Sequence, residues 1–387
     1  MTASQVIEAH GWLDVATHAY EHPGVVASEW REQGGKVVGV IGHDVPSELV
    51  AACGMLPIRL APSRLGPPGA GRLPSGPDLR LTPDCQVLLE AIVSGGLDWI
   101  DALVIGRDSE SYTKLFYVLR ELVSVGIGSS VPPFWFYDLL RLPTHASARY
   151  NRFRAREFVE VLKGWSGSTV SEDEIRRAVD ESNATCALMA RIADLRRSRP
   201  PCLSGVTALT LVGAAATLPF PARQAMLRGL LDDPPPPLAG KRVMVSGSPQ
   251  DQLGVYRAIE AEGLVVVGED HDWGDRSSAM SIPETPNPLD GLVDRYHLGP
   301  PGSARGGLAE RCRYSAGHAA LVGADAVLQV VFEHDEASEW ELPGVRDLLA
   351  ETGVPVVPVR IAWPPADDSA IGRSVDEVWH ALGGRDG

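Results

Sequence analysis

The sequence has no paired cysteine motif, no excess of basic charge and no apolar run long enough to cross a bilayer. Its five cysteines, Cys53, Cys85, Cys186, Cys202 and Cys312, are odd in number and widely spaced, and no C-x-x-C occurs. This excludes a disulfide framework and a zinc ribbon. The formal net charge is −15. An acidic chain repels phosphate backbones at long range, so no nucleic-acid partner is expected, although local arginines and backbone N–H groups can still hold a small anion. Residues 1–20 mix acids and histidine without the basic and apolar regions of a signal peptide, which makes the cytoplasm the expected compartment. The longest apolar stretch, Val206 to Leu218, is too short to span a membrane and is closed by Pro219 and Pro221, so no membrane partner is expected.

What remains is a globular composition, 44% apolar and 22% charged, over 387 residues, enough for two or three domains. Residues 5–32 read as helical, with Val6, Trp12, Val15 and His18 on one face. KVVGVIG (36–42) is a short β-branched run ended by glycine, which reads as a buried strand. Pro46, Glu48 and Gly54 give the start and stop signals of a helix, and MLPIRLAP (55–62) reads as a second strand. The Pro/Gly/Ser-rich stretch 61–80 reads as a flexible surface loop. A helix over 85–95, a strand over 99–106 and a helix over 111–126 follow, and this alternation is the signature of a parallel α/β unit.

From Ala146 to about Leu231 no strand is read. Ser171 and Glu174 form a capping box, and Ile175, Val179, Cys186, Met189 and Ile192 recur at helical spacing. Two or three helices here would form a connector, ended by the stiff run DDPPPPLAG (232–240). A second α/β unit opens at Lys241, with strands over 264–270, 324–332 and 354–361. The expected architecture is therefore two Rossmann-like or flavodoxin-like parallel-sheet lobes. The expected divisions are an N-terminal helical segment (1–35), a first lobe (36–145), a helical connector (146–235) and a second lobe (236–387).

Ligands of such sheets sit at the carboxyl ends of the strands. Those ends carry His43 and Asp44, Arg107 to Ser109, Ser246 to Ser248, and Glu333 to Asp335. SGSPQDQLG (246–254) follows a strand and opens a helix, so it is either an anion cradle or an ordinary βα turn. EDHDWGDR (269–276), with Arg276, is either a cation or substrate site or a polar strand-end loop. His334 beside Asp335 is an acid–base candidate or a solvated strand end. Cys85 opens a helix, a position that favours thiolate, or is a small core residue. Cys53 and Cys186 read as core.

The order of these motifs resembles the 2-hydroxyacyl-CoA dehydratase and benzoyl-CoA reductase subunit family. DVPSELVAACGMLPIRL is similar to its P-x-E-L-x-x-A-x-G-x-x-P-x-R-L pattern. The stretch from Asp84 through RDS (107–109), the helical connector, the opening KRVMVSGSPQDQLG and the closing ADAVLQVVFEHD resemble further family segments in the same order, over roughly nine-tenths of the chain. The resemblance implies a cytoplasmic heterodimer of homologous subunits, an acyl-CoA substrate, an ATP-dependent activator that delivers one electron, and a [4Fe-4S] cluster held by three cysteines in the interlobe cleft. Residue by residue, Cys85 matches the first of those cysteines. The second falls on Arg107 and the third on His334 or its neighbour Glu333. A guanidinium is not an iron ligand. The implied chain is thus a member in which Arg107, His334 and Asp335 occupy the former cluster cavity as catalytic candidates. His43, Asp44, Ser109, Ser246, Ser248 and Arg276 would bind substrate, and Cys85 is the one candidate metal ligand. The alternative is a non-catalytic acyl-CoA-binding or scaffold subunit that supports a cluster-bearing partner.

Overall fold

The computed structural model describes residues 3–66, 81–127, 130–302, 304–364 and 369–384. Two helices, α1 (Ala3–Glu21) and α2 (Pro23–Glu32), precede the first sheet. Residues 5–32 are thus not one helix: Gly11 kinks α1 and Pro23 begins a new helix. His18 is exposed; the buried side of α1 is Ala16, Ala19 and Tyr20.

The first lobe continues β1 (Val37–Ile41), α3 (Ser47–Ala52), β2 (Leu56–Arg59), α4 (Pro83–Ser94), β3 (Ala102–Gly106), α5 (Glu110–Ser124) and β4 (Phe134–Tyr137). The strands are parallel in the order β2-β1-β3-β4. β1 and β3 are buried along their whole length, as their unbroken apolar runs require. β4 is a strand the sequence pattern did not mark. Its FWFY run is a short edge strand behind Pro132 and Pro133, half-buried for three of its four residues. The loop expected over 61–80 begins as a packed turn with Ala61 and Pro62 buried, and residues 67–80 lie outside the described residues.

The connector is four helices rather than two or three: α6 (His145–Ser166), α7 (Glu172–Arg197), α8 (Gly205–Ala215) and α9 (Phe220–Asp232). The capping box of α7 forms, with Ser171 Oγ accepting from the Glu174 N–H and Glu174 returning the bond to the Ser171 N–H. The largely apolar α8 is buried between the lobes. Its first N–H groups donate to Glu260 of the second lobe, Gly205 at 2.6 Å and Val206 at 3.3 Å. At its other end the Ala216 carbonyl accepts from the Arg59 N–H of β2 at 3.0 Å. Gly213 of α8 packs so closely on Tyr20 that a Cβ there would lie 2.4 Å from the ring.

The second lobe comprises β5 (Lys241–Gly247), α10 (Leu253–Ala261), β6 (Leu264–Glu269), α11 (Pro288–His297), α12 (Leu308–Val322), β7 (Ala326–Phe332), α13 (Glu336–Ala350), β8 (Val356–Ile361) and α14 (Ser369–Ala381). Its sheet repeats the plan of the first, β6-β5-β7-β8, all parallel. α11 packs into the first lobe's apolar cluster through Leu289, Leu292 and Val293. None of the described helices is long and apolar enough to cross a membrane.

Candidate functional site: a cleft between two strand-end faces

The carboxyl ends of both sheets meet across a cavity of about 190 Å³. The first lobe contributes Arg59 at the end of β2, Thr82 and Asp84 at the start of α4, and Asp108 and Ser109 after β3. The second contributes Asp251, Asp272, Trp273, His334 and Asp335. This is where parallel sheets of this order place ligands, because strand connections part on either side of β1 and β5.

One cross-lobe clamp centres on Arg59. Its Nη2 pairs with Asp272 at 2.9 Å, its Nη1 donates to the Asp272 carbonyl at 2.8 Å, and its guanidinium lies 4.0 Å over the Trp273 ring. A second contact joins His334 Nε2 to Asp84 at 3.6 Å. Asp108 folds back under β1. Its Oδ2 accepts from the His43 N–H and, at 3.0 Å, from the Asp44 N–H. Gly42 makes this turn possible: its φ is 101°, and a Cβ there would meet the Asp108 carboxylate at 2.6 Å. Burial and the neighbouring Asp44 push the Asp108 carboxyl up to about 7, against the pull of Arg141 and the His43 N–H. Thr82 Oγ1 and one carboxylate oxygen each of Asp84, Asp108 and Asp272 are buried without a hydrogen bond. A cavity wall with several unsatisfied acceptors is a place where a donor-bearing ligand gains.

The sequence-derived candidates divide. His334, Asp335 and Ser109 line the cavity. Asp335 also caps α13, accepting from Ser248 Oγ at 2.6 Å and Ser338 Oγ at 2.7 Å. Ser109 caps α5 by accepting from the Tyr112 N–H at 3.1 Å. Arg107 turns away: its side chain keeps 47% of its surface exposed and pairs with Asp138 at 2.9 Å. Asp44 is held by Arg141 at 2.8 Å and Arg305 at 3.3 Å. Ser246 donates to Asp270 at 2.7 Å and meets Ser315 at 3.0 Å; Ser248 is buried under Phe332 and Asp335. Arg276 stacks 5.3 Å from the Tyr314 ring. The turn after β5 presents buried Asp251 before α10 begins at Leu253, and a carboxylate there opposes an incoming phosphate. His43 lines a second cavity, where burial pulls its imidazole down to about 4 and keeps it neutral.

Arg59 and Asp84 were not named as candidates in the sequence, whereas Asp108 and Asp272 lay inside the strand-end groups 107–109 and 269–276 without being chosen as site residues. The signal for Arg59 was a lone cation inside the apolar run LPIRLAP, and Asp108 lay beside a residue that was chosen.

Cys85 is fully buried in the first-lobe core, one residue from the cavity wall, and burial pushes its thiol well above the ordinary range, outweighing the helix end. None of the five cysteines lines the cavity between the sheets. Among the described residues no group of three or more His, Cys, Asp or Glu side chains is arranged to hold a metal ion. The residues present do not fit a cluster that needs three converging thiolates.

The model of the family described as 2-hydroxyglutaryl-CoA dehydratase, D-component, matches residues 43–368. The sequence is 21% identical over 342 residues to the (R)-phenyllactyl-CoA dehydratase beta subunit of Clostridium sporogenes, covering 86% of this chain and 88% of that protein. It is 21% identical over 362 residues to the beta subunit of (R)-2-hydroxyglutaryl-CoA dehydratase of Acidaminococcus fermentans, covering 88% and 90%. It is 23% identical over 260 residues to a subunit of the benzoyl-CoA reductase of Thauera aromatica, covering 63% and 64%.

Proposed function

Because this chain belongs to the 2-hydroxyglutaryl-CoA dehydratase D-component family, we propose that it is a subunit of a 2-hydroxyacyl-CoA dehydratase or benzoyl-CoA reductase-like complex, and a member without a cluster of its own. In this reading a homologous partner carries the iron–sulfur centre and an ATP-dependent activator reduces it. The present chain contributes an acyl-CoA pocket between its two sheets.

The observation that carries this reading is the cavity wall itself. The strand ends converge as a family site requires, yet the wall holds carboxylates, one guanidinium and one imidazole, and no thiol. Acidic walls disfavour an anionic thiolate cluster and favour groups that donate hydrogen bonds or exchange protons. Asp108 and the His334–Asp84 pair supply such groups. Arg107 is proposed to play no direct part, since it faces Asp138.

Anaerobic reconstitution with iron and sulfide tests the absence of a cluster. The isolated chain should stay colourless with background iron; a brown protein with roughly four irons per chain would overturn the reading. Mixing with a three-cysteine member of the family and following the complex by sedimentation tests the subunit role, and failure to associate counts against it.

A further inference from the structure

The cavity between the sheets carries an excess of one charge. Five carboxylates line it, Asp84, Asp108, Asp251, Asp272 and Asp335, against one guanidinium, Arg59, and one imidazole, His334. Arg59 is already matched by Asp272 at 2.9 Å. Asp251 accepts from the Ser63 N–H at 3.1 Å, and Asp335 from the Ser248 and Ser338 hydroxyls. The other three acids each keep a buried oxygen without a hydrogen bond. The free Asp84 oxygen is 3.6 Å from His334 Nε2 and the free Asp108 oxygen 4.0 Å from Arg141, both beyond hydrogen-bond reach. Four aromatic side chains, Tyr112, Trp273, Phe332 and Trp363, line the same cavity.

One cation of the chain itself already sits on this wall. The Arg59 guanidinium lies 4.0 Å over the Trp273 ring while it pairs with Asp272, so ring face and carboxylate act together on a positive group. That single cation does not balance five acids. Burial, with Asp44 and Asp272 adding to it, pushes the Asp108 carboxyl up to about 7 against the pull of Arg141 and the His43 N–H, and burial also raises Asp251. A ligand that brings positive charge and N–H donors relieves this strain and fills the free acceptors. The cavity, of about 190 Å³, has room for a short aliphatic chain but not for a nucleotide.

We propose that the cavity between the sheets is a subsite for a primary ammonium group at the end of a short aliphatic chain, received by Asp84, Asp108 and Asp272 among the aromatic rings. The assignment rests on the acyl-CoA reading above in placing that group on an acyl chain, and adds to it a substrate class, amine-terminated acyl groups. A free short amine offers the same chemistry and is tested separately.

The experiment is calorimetric titration of the full chain with 6-aminohexanoyl-CoA and with heptanoyl-CoA, whose acyl chains match in length and differ in the terminal ammonium. At pH 8 the amino ester should bind at least about tenfold more tightly, the scale of a charge-assisted hydrogen-bonded pair. In Asp84→Lys, which supplies an ammonium from the wall, the ratio of the two affinities should fall to about one. Asp84→Asn, which keeps the shape of the wall, should shrink the ratio as well. Asp108 must give up its proton to pair with the ammonium, so the preference should grow about tenfold from pH 6 to pH 8, and Asp108→Asn should weaken that dependence. Equal affinities in the wild-type chain, a preference that both Asp84 variants leave intact, or one that does not rise with pH overturns the proposal. If neither ester binds, the acyl-CoA reading fails by itself, and titration with hexylamine against 1-hexanol decides the cavity. Binding of the amine alone, weakened in Asp84→Asn or lost in Asp84→Lys, upholds the subsite; no amine binding overturns it.

Discussion

The seam between α7 and the second sheet and the cleft between the two sheets both bury carboxylates, a guanidinium and a histidine, yet they treat them differently. In the seam, Arg196 donates to Glu269 at 2.5 and 2.8 Å, to the Val266 carbonyl at 3.0 Å and to Asp275 at 3.4 Å, while His318 meets the other Asp275 oxygen at 2.9 Å. Every carboxylate oxygen there has a partner. In the cleft, Asp84, Asp108 and Asp272 each keep one buried oxygen without a hydrogen bond. Composition does not separate the two clusters; the pairing of their carboxylate oxygens does, even though Arg196 Nε in the seam is buried without a hydrogen bond. Fully paired carboxylates fix one part of the fold against another, and unpaired ones are open to a ligand.

The largest expected effect probes the seam. Arg196→Ala strands Glu269 and Asp275 and should cost about 3–5 kcal/mol in urea unfolding. His334→Ala in the cleft should cost less than about 1 kcal/mol, since it breaks one 3.6 Å contact with Asp84 and a loose 5.8 Å stack on Phe332. Equal costs would erase the distinction drawn between the clusters.

Acid provides the next test. Burial pulls His271, in the loop that carries the seam's acids, down to about 4. Its folded value lies below its unfolded one, so the neutral form's contribution is present above about pH 6.5 and is lost as pH falls toward 4. Between pH 7 and pH 5 the wild-type chain should lose about 2 kcal/mol through this group, read from urea midpoints at the two pH values. His271→Gln should flatten that slope; an unchanged slope would show that other groups govern it.

A matched pair of substitutions sharpens the comparison further. Burial raises the Asp275 carboxyl, but the His318 hydrogen bond and Arg196 more than offset it, and it ends below its ordinary range. Asp275→Asn should therefore destabilise the chain by about 1–2 kcal/mol at neutral pH. Asp108 has the opposite sign. Its folded value is raised to about 7, so ionisation subtracts stability as pH climbs from 4 through 7. Asp108→Asn should stabilise by about 1–2 kcal/mol at pH 8, with the gain vanishing near pH 4. Two losses of similar size would mean that Asp108 is structural.

The smallest effect belongs to Arg107→Ala. An exposed pair with Asp138 should be worth less than about 0.5 kcal/mol, and acyl-CoA affinity should not change. A large drop in affinity would return Arg107 to the site.

Seven of the eight strands among the described residues were legible as apolar runs bounded by glycine, proline or polar turns. β4 was not, because aromatic residues behind a Pro-Pro pair carry no β-branched pattern and its three half-buried side chains blur the contrast between faces. That one omission propagated. Asp138 follows β4 and draws Arg107 outward, so the strand-end rule named the right turn but the wrong neighbour of Asp108. Asp84, and the choice of Asp272 within the loop 269–276, were hidden for another reason. Their meaning comes from His334 and Arg59 on the opposite lobe, far apart in the chain, and no local spacing encodes a pairing that only the folded cleft creates.

The helix α8 has a consequence for how ligands reach the cleft. Each of its ends is hydrogen-bonded to a different lobe, and its 11 residues make a rod of about 16 Å. A rod hydrogen-bonded at both tips acts as a gauge of the spacing between the two halves. Lengthening the rod by one turn would widen that gauge by about 5 Å, changing which molecules are admitted before any side chain in the cleft is altered.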